Sequence, residues 1–150
     1  MIKQFTGAKL AFLLSILVLC ACSGRGTEEI ESPFIRSARY DFSDITRVEL
    51  TDSSTVVTIR SEYVPNSSLD CGDDWYIRSL ERDFTAKDYV GLSPEGNISY
   101  DHMGIAEFSV IFEALPNKVK SFDMISGNKV FDFFGVDLTG KACESQDSRV

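Results

Sequence analysis

The chain holds a single histidine and a single tryptophan among 150 residues, and its four cysteines fall at 20, 22, 71 and 143 with no Cys-x-x-Cys pair. One histidine and two distant downstream thiols lack the ligand spacing of a zinc site, so no metal and no cofactor are expected. Lys and Arg together number 15 against 23 Asp and Glu, for a formal charge of −8. The first 22 residues contain Lys3 and Lys9 and no acid, so the remainder is more negative still. A surface of that sign, with no basic cluster to offset it, repels phosphate and argues against nucleic acid as a partner. Long apolar runs are also missing: Leu10 to Cys20 is the one extended stretch, and it is well short of the roughly 20 residues a membrane-spanning helix needs.

That short run follows Lys3 and Lys9 and precedes polar sequence, the order of a secretory signal. Leu19-Cys20-Ala21-Cys22 resembles the bacterial lipobox. The resemblance implies cleavage before Cys22, diacylglyceryl modification of its thiol and acylation of the new amino terminus. Cys20 fits the pattern less well, because Leu19 would then stand at a position the peptidase keeps small. An uncut signal anchor and ordinary secretion are the competing readings. Two or more acyl chains anchor durably where one does not. Ser23, in place of the Asp that retains lipoproteins at the inner membrane, implies an outer-membrane address in the bacterial cell envelope, on either its periplasmic or its surface side. The organisation expected is a signal peptide over 1–21, a flexible polar tether over 22–33, a folded domain over 34–140 and a polar tail over 141–150.

From residue 34 onward, alternation and turn residues dominate. Strands are expected over 45–51, 55–63, 75–80, 88–92, 97–101, 106–115, 119–126 and 130–138, separated by signals such as Asp52-Ser53-Ser54, Ser93-Pro94-Glu95-Gly96 and Leu115-Pro116-Asn117. Phe108, Val110 and Phe112 alternate with Glu107, Ser109 and Glu113, the pattern of a half-buried strand. The one competing helix, 79–89, lacks a full apolar stripe and is expected to give one or two turns at most. The fold class expected is all-β: a single antiparallel, immunoglobulin-like β-sandwich of about eight strands.

The patches at 47–59, 75–79, 108–127 and 131–138, above all Leu115-Pro116, Lys120, Phe122-Asp123, Gly127 and Gly135-Val136, resemble a β-sandwich module of secreted Bacteroidetes lipoproteins. That module occurs alone or ahead of thioredoxin-like domains. The resemblance implies a fold and an envelope address but no reaction. Only 12 residues follow Leu138, so any thiol-disulfide role would be that of an accessory to a separate partner.

Cys71 and Cys143 are the thiols left after export; they are expected either to form a disulfide or to remain unpaired, with a catalytic thiol the least favoured reading. His102 could be drawn as a base for Cys71, but no orienting group or oxyanion element accompanies it. Asp70, Asp73 and Asp74 match no calcium loop. Trp75 and Tyr76 alternate across a strand, so one is expected in the core and the other as an exposed binding aromatic, with Tyr63, Tyr89 and Tyr100 as possible contributors. The function expected is therefore non-enzymatic binding of an envelope protein or glycan by a membrane-anchored module, through loops at one end of the sandwich.

Overall fold

A computed structural model describes residues 26–140. The lipobox residues Leu19, Cys20 and Cys22, and Cys143 in the tail, lie outside the described residues. Eleven strands follow in chain order: β1 (Glu28–Glu31), β2 (Ile35–Ala38), β3 (Ser43–Leu50), β4 (Ser54–Glu62), β5 (Ser68–Asp70), β6 (Tyr76–Ser79), β7 (Arg82–Val90), β8 (Asn97–Ser99), β9 (Ile105–Glu113), β10 (Ser121–Ile125) and β11 (Phe133–Asp137). Nine of them form one antiparallel sheet in the order β1-β3-β4-β9-β7-β6-β10-β11-β2, and β5 pairs with β8 in a small second sheet.

The sheet curls because β7 belongs to both halves. Arg82 to Thr85 pair with β6, whereas Ala86 to Val90 pair with β9, and the register slips between Ala86 and Asp88. A bulge of this kind bends a strand and raises its twist. The described residues are thus all-β and antiparallel, and the strand count and the continuity of the sheet depart from a plain eight-stranded immunoglobulin-like sandwich. The two free edges, β1 and β2, are consecutive in sequence and joined by Ser32 to Phe34.

Two local expectations need correction. The stretch 79–89 is not helical: Ser79 pairs with Arg82 across a two-residue loop in which Leu80 (φ 54°) and Glu81 (φ 57°) both take left-handed conformations. Two positive φ values in a two-residue loop match the twist of the flanking strands, and Ile77 and Phe84 then meet on the buried face. The stretch read as a tether also enters the sheet before residue 34, since Glu28 to Glu31 pair with Leu50 to Arg47.

Inward-facing residues fill the curl as the alternation requires. β9 contributes Phe108, Val110 and Phe112, β4 contributes Val57 and Ile59, and β3 contributes Ile45, Val48 and Leu50, a bulge between Ile45 and Arg47 restoring its phase. At one end of this core Trp75, Phe108 and Phe131 pack as a trio. The indole stacks on Phe131 at 5.9 Å and 21°, and Phe108 meets Phe131 edge-on at 5.2 Å. Two of the buried hydroxyls are satisfied within the core: Thr55 accepts the Leu115 amide at 3.1 Å, and Ser61 shares a 2.8 Å hydrogen bond with Tyr100. No helix among the described residues is long and apolar enough to cross a membrane.

Candidate functional site

Strand register divides the molecule into two ends. Glu28 pairs with Leu50 and Ser54 pairs with Glu113, so the chain enters at the end where β3 and β9 finish. Ser43 pairs with Ser61 and Glu62 with Ile105, so the segments around 39–42, 62–66 and 101–104 gather at the opposite end. These three segments carry an exposed aromatic stripe.

Backbone hydrogen bonds tie the segments together. Glu62 donates to the Phe42 carbonyl at 2.8 Å, Tyr63 to the Gly104 carbonyl at 2.8 Å, and Asn66 to the Asp101 carbonyl at 3.0 Å. Asp101 shapes its own turn: one carboxylate oxygen accepts the amides of Met103 and Ile105, each at 2.9 Å. Those amide bonds, led by that of Ile105 and joined by the nearby His102, hold its pKa below the usual carboxylate range. Gly104, at φ +78°, passes so close to Tyr63 that a β-carbon there would sit 2.3 Å from the Tyr63 carbonyl oxygen.

The 39–42 segment is held from the other side. Arg39 donates its amide to the Asp132 carbonyl at 3.0 Å, and its Nε to the Asp132 carboxylate at 3.2 Å. The Asp132 side chain is 2% exposed and Arg39 is 44% exposed. The second carboxylate oxygen accepts the Ser126 amide at 2.9 Å and lies 3.4 Å from the Ser126 hydroxyl. A buried charge is thus partnered on both sides, as burial demands.

Pinned in this way, Tyr40, Phe42 and Tyr63 form a chain of touching rings. Tyr40 to Phe42 is 5.6 Å at 34°, and Phe42 to Tyr63 is 5.4 Å at 41°. Phe42 packs inward on Phe131 at 6.0 Å, and Tyr63 on the buried Tyr100 at 5.7 Å. Tyr40 and Tyr63 are each 50% exposed, and Val64 and Met103 beside them are 54% and 67% exposed. Adjacent to Phe42 lies a groove of about 280 Å³ lined by Asp41, Phe42, Ser43, Asp44, Thr46, Arg60 and Glu62.

The residues singled out from the sequence fall elsewhere, with one exception. Tyr63 is in the stripe. Trp75 is fully buried, its indole N–H donating to the carbonyls of Cys71 and Gly72 at 3.1 and 3.2 Å, so it is a core residue and not a binding aromatic. Tyr76 is half-buried, with the Arg78 guanidinium 5.2 Å over its ring. Tyr89 leans edge-on against Trp75 at 6.3 Å, and partial burial together with the Asp73 and Asp74 charges raises its ionisation range. Tyr100 is buried. Burial pushes the Cys71 thiol up to about 12, which leaves it protonated and unreactive at neutral pH. His102 stands exposed in its turn, and no hydrogen bond joins it to Cys71 among the described residues. Asp70 accepts the Gly72 amide at 2.8 Å, an Asx turn that shapes the loop before Trp75. Among the described residues, no group of three His, Cys, Asp or Glu side chains is arranged to hold a metal ion.

Tyr40, Phe42, Val64 and Met103 are the members that sequence reasoning missed. Their signal is an aromatic or large apolar residue set in a turn, outside any alternating run, as in Arg39-Tyr40-Asp41-Phe42. A scan of protein-family models gives no match, and searches of curated proteins and of solved structures give none either.

Proposed function

We propose that this chain is a lipid-anchored module of the bacterial cell envelope that binds a protein or glycan through the Tyr40-Phe42-Tyr63 end. The observation that carries the reading is the stripe itself: three touching rings, two of them half in water, on segments fixed by backbone hydrogen bonds. Aromatic side chains on a rigid support lose little freedom when a partner covers them, and tyrosine is enriched among residues that dominate binding energy. Folding alone does not require Tyr40 or Tyr63 to remain half exposed.

The position of the stripe supports the anchored reading. Acylation at Cys22 would place lipid a few residues before Gly26, and the described chain enters the sheet at Glu28, beside Leu50. The stripe begins beyond Ser43, at the other end of β3, roughly 23 Å away at about 3.3 Å per residue. A module tethered at one end would hold its aromatic end away from the outer membrane. In this reading the protein is a binder and not an enzyme, and its address follows from Cys22 and Ser23.

Two variants of the full chain test the two halves of the proposal. Cys22→Ala should abolish incorporation of labelled palmitate and release the protein from membranes; labelling that persists would sink the lipobox reading. Tyr40→Ala combined with Tyr63→Ala should leave a cooperatively folded protein, its urea midpoint lowered by about 1 M through the lost ring contacts, while removing the species that formaldehyde crosslinks to the wild-type protein in intact envelopes. An unchanged crosslinking pattern would reject the aromatic end as the binding surface.

A further inference from the structure

The groove beside Phe42 has a chemistry of its own. Its walls are Asp41, Asp44 and Glu62, the Arg60 guanidinium, and the hydroxyl residues Ser43 and Thr46; Phe42 is its one aromatic wall. The backbones of Asp44 and Arg60 stand opposite each other on β3 and β4, and Arg60 pairs with Glu62 at 2.5 Å, so the strands set where these polar side chains begin. The Ser43 hydroxyl oxygen is shielded from solvent and has no hydrogen-bond partner among the described residues. Ser43 pairs with the fully buried Ser61, so alternation turns its side chain to the inward face of β3, and the polar groups offered to the groove are those of Asp41, Asp44, Arg60 and Glu62.

We propose that this groove is a subsite for an uncharged sugar ring, its C–H face against Phe42 and its hydroxyls held by Asp41, Asp44, Arg60 and Glu62. The inference rests on the reading of this end as a binding surface and names the class of ligand. A pyranose offers an apolar C–H face, whose partial positive charge suits the negative face of an aromatic ring, and a rim of hydroxyls that both donate and accept. The walls supply carboxylate acceptors and a guanidinium donor, which together suit that rim.

Other occupants fit less well. An apolar peptide or acyl chain would strip water from three carboxylates and a guanidinium with nothing to replace it. An anionic sugar or phosphate would meet three carboxylates against one cation. A lysine or arginine side chain would face Arg60, and the rings of Tyr40, Phe42 and Tyr63 touch one another, leaving no cage between them for a cation. A volume of about 280 Å³ suits one ring with its neighbours extending over the tyrosines.

The test uses the full acylated chain in a detergent without a sugar headgroup, applied to immobilised neutral oligosaccharides of glucose, mannose and N-acetylglucosamine and to sulfated or phosphorylated counterparts. Retention on at least one neutral series is expected, weakened about tenfold or more by Phe42→Ala. Asp44→Asn, at an exposed position outside the core, should weaken it severalfold without altering the fold, and it decides the matter if Phe42→Ala fails to fold. Absence of retention on every neutral series, preference for the charged ones, or retention untouched by Asp44→Asn would overturn the proposal. If no sugar is retained while the Tyr40/Tyr63 double variant still loses a crosslinked protein, the sugar subsite falls and the binding surface stands. If the double variant loses nothing either, both fall.

Discussion

Arg39 and Asp132 tie the aromatic end to the residues before β11, and their unequal exposure predicts an unequal cost of removing them. Arg39→Ala leaves the Asp132 carboxylate at 2% exposure with the Ser126 amide and hydroxyl as its remaining partners. Stranding a buried charge costs about 3–5 kcal/mol, and the surviving Ser126 bonds put this case near the lower figure. Asp132→Asn removes the charge but keeps an oxygen for Ser126, and Arg39, nearly half in solvent, keeps its hydration; that costs about 1 kcal/mol. The double variant carries no stranded charge, so Asp132→Asn should restore about 2 kcal/mol to the Arg39→Ala protein. Trp75, the only tryptophan, reports unfolding in urea by fluorescence. With a slope near 2 kcal/mol/M, Arg39→Ala lowers the midpoint by about 1.5 M and the second substitution returns about 1 M of it. Additive losses, or a cost below about 1 kcal/mol for Arg39→Ala, would refute the assignment of Asp132 as a buried charge held by Arg39.

Gly104→Ala should cost about 1–3 kcal/mol through its φ of +78° and displace Tyr63, whose carbonyl a β-carbon would strike; unchanged stability would contradict the close approach. With the chain reduced, Cys71 should resist alkylation at pH 8 until urea unfolds the protein, since a thiol near 12 is ionised in roughly one molecule in ten thousand. Labelling of native protein at the unfolded rate would refute its burial. The lowered pKa of Asp101 means that its contribution to the 101–105 turn is fully present above the ordinary carboxylate value and is lost as pH falls through the lower, folded-state value. Amide NMR shifts of Met103 and Ile105 should therefore titrate below about 3.9, and an inflection at or above that would count against the turn.

Much of the sheet was legible because alternation reports burial on one face. The runs at 55–63 and 106–115 foretold β4 and β9 to within two residues, and these are the central pair of the long-strand half. The strands that escaped notice, β1, β2 and β5, are three or four residues long and mostly exposed, so no alternation marks them. The β6–β7 hairpin was obscured because Leu80 and Glu81 adopt left-handed turn conformations that neither residue advertises. The aromatic end was half legible. Loops at one end of a sandwich were the expected site, and Tyr63 was among the residues named. Trp75 was an attractive candidate by residue type and position, but its indole N–H finds two backbone acceptors inside the protein, which makes complete burial tolerable. Tyr40 and Phe42 join Tyr63 through backbone pairing between segments some twenty residues apart, and contacts of that kind leave no local pattern to read.

The central claim, that the Tyr40-Phe42-Tyr63 end is the working surface of an envelope-anchored module, is tested most directly by placing a photoreactive residue at position 63 in the full chain and irradiating cells that carry it. A control at Leu80, equally exposed but in the β6–β7 turn, samples a surface to which no role is assigned. Crosslinking from position 63 to one discrete envelope component, absent from position 80 and lost with Tyr40→Ala, is the predicted result. Equal capture from both positions, or capture from position 80 alone, would contradict the account.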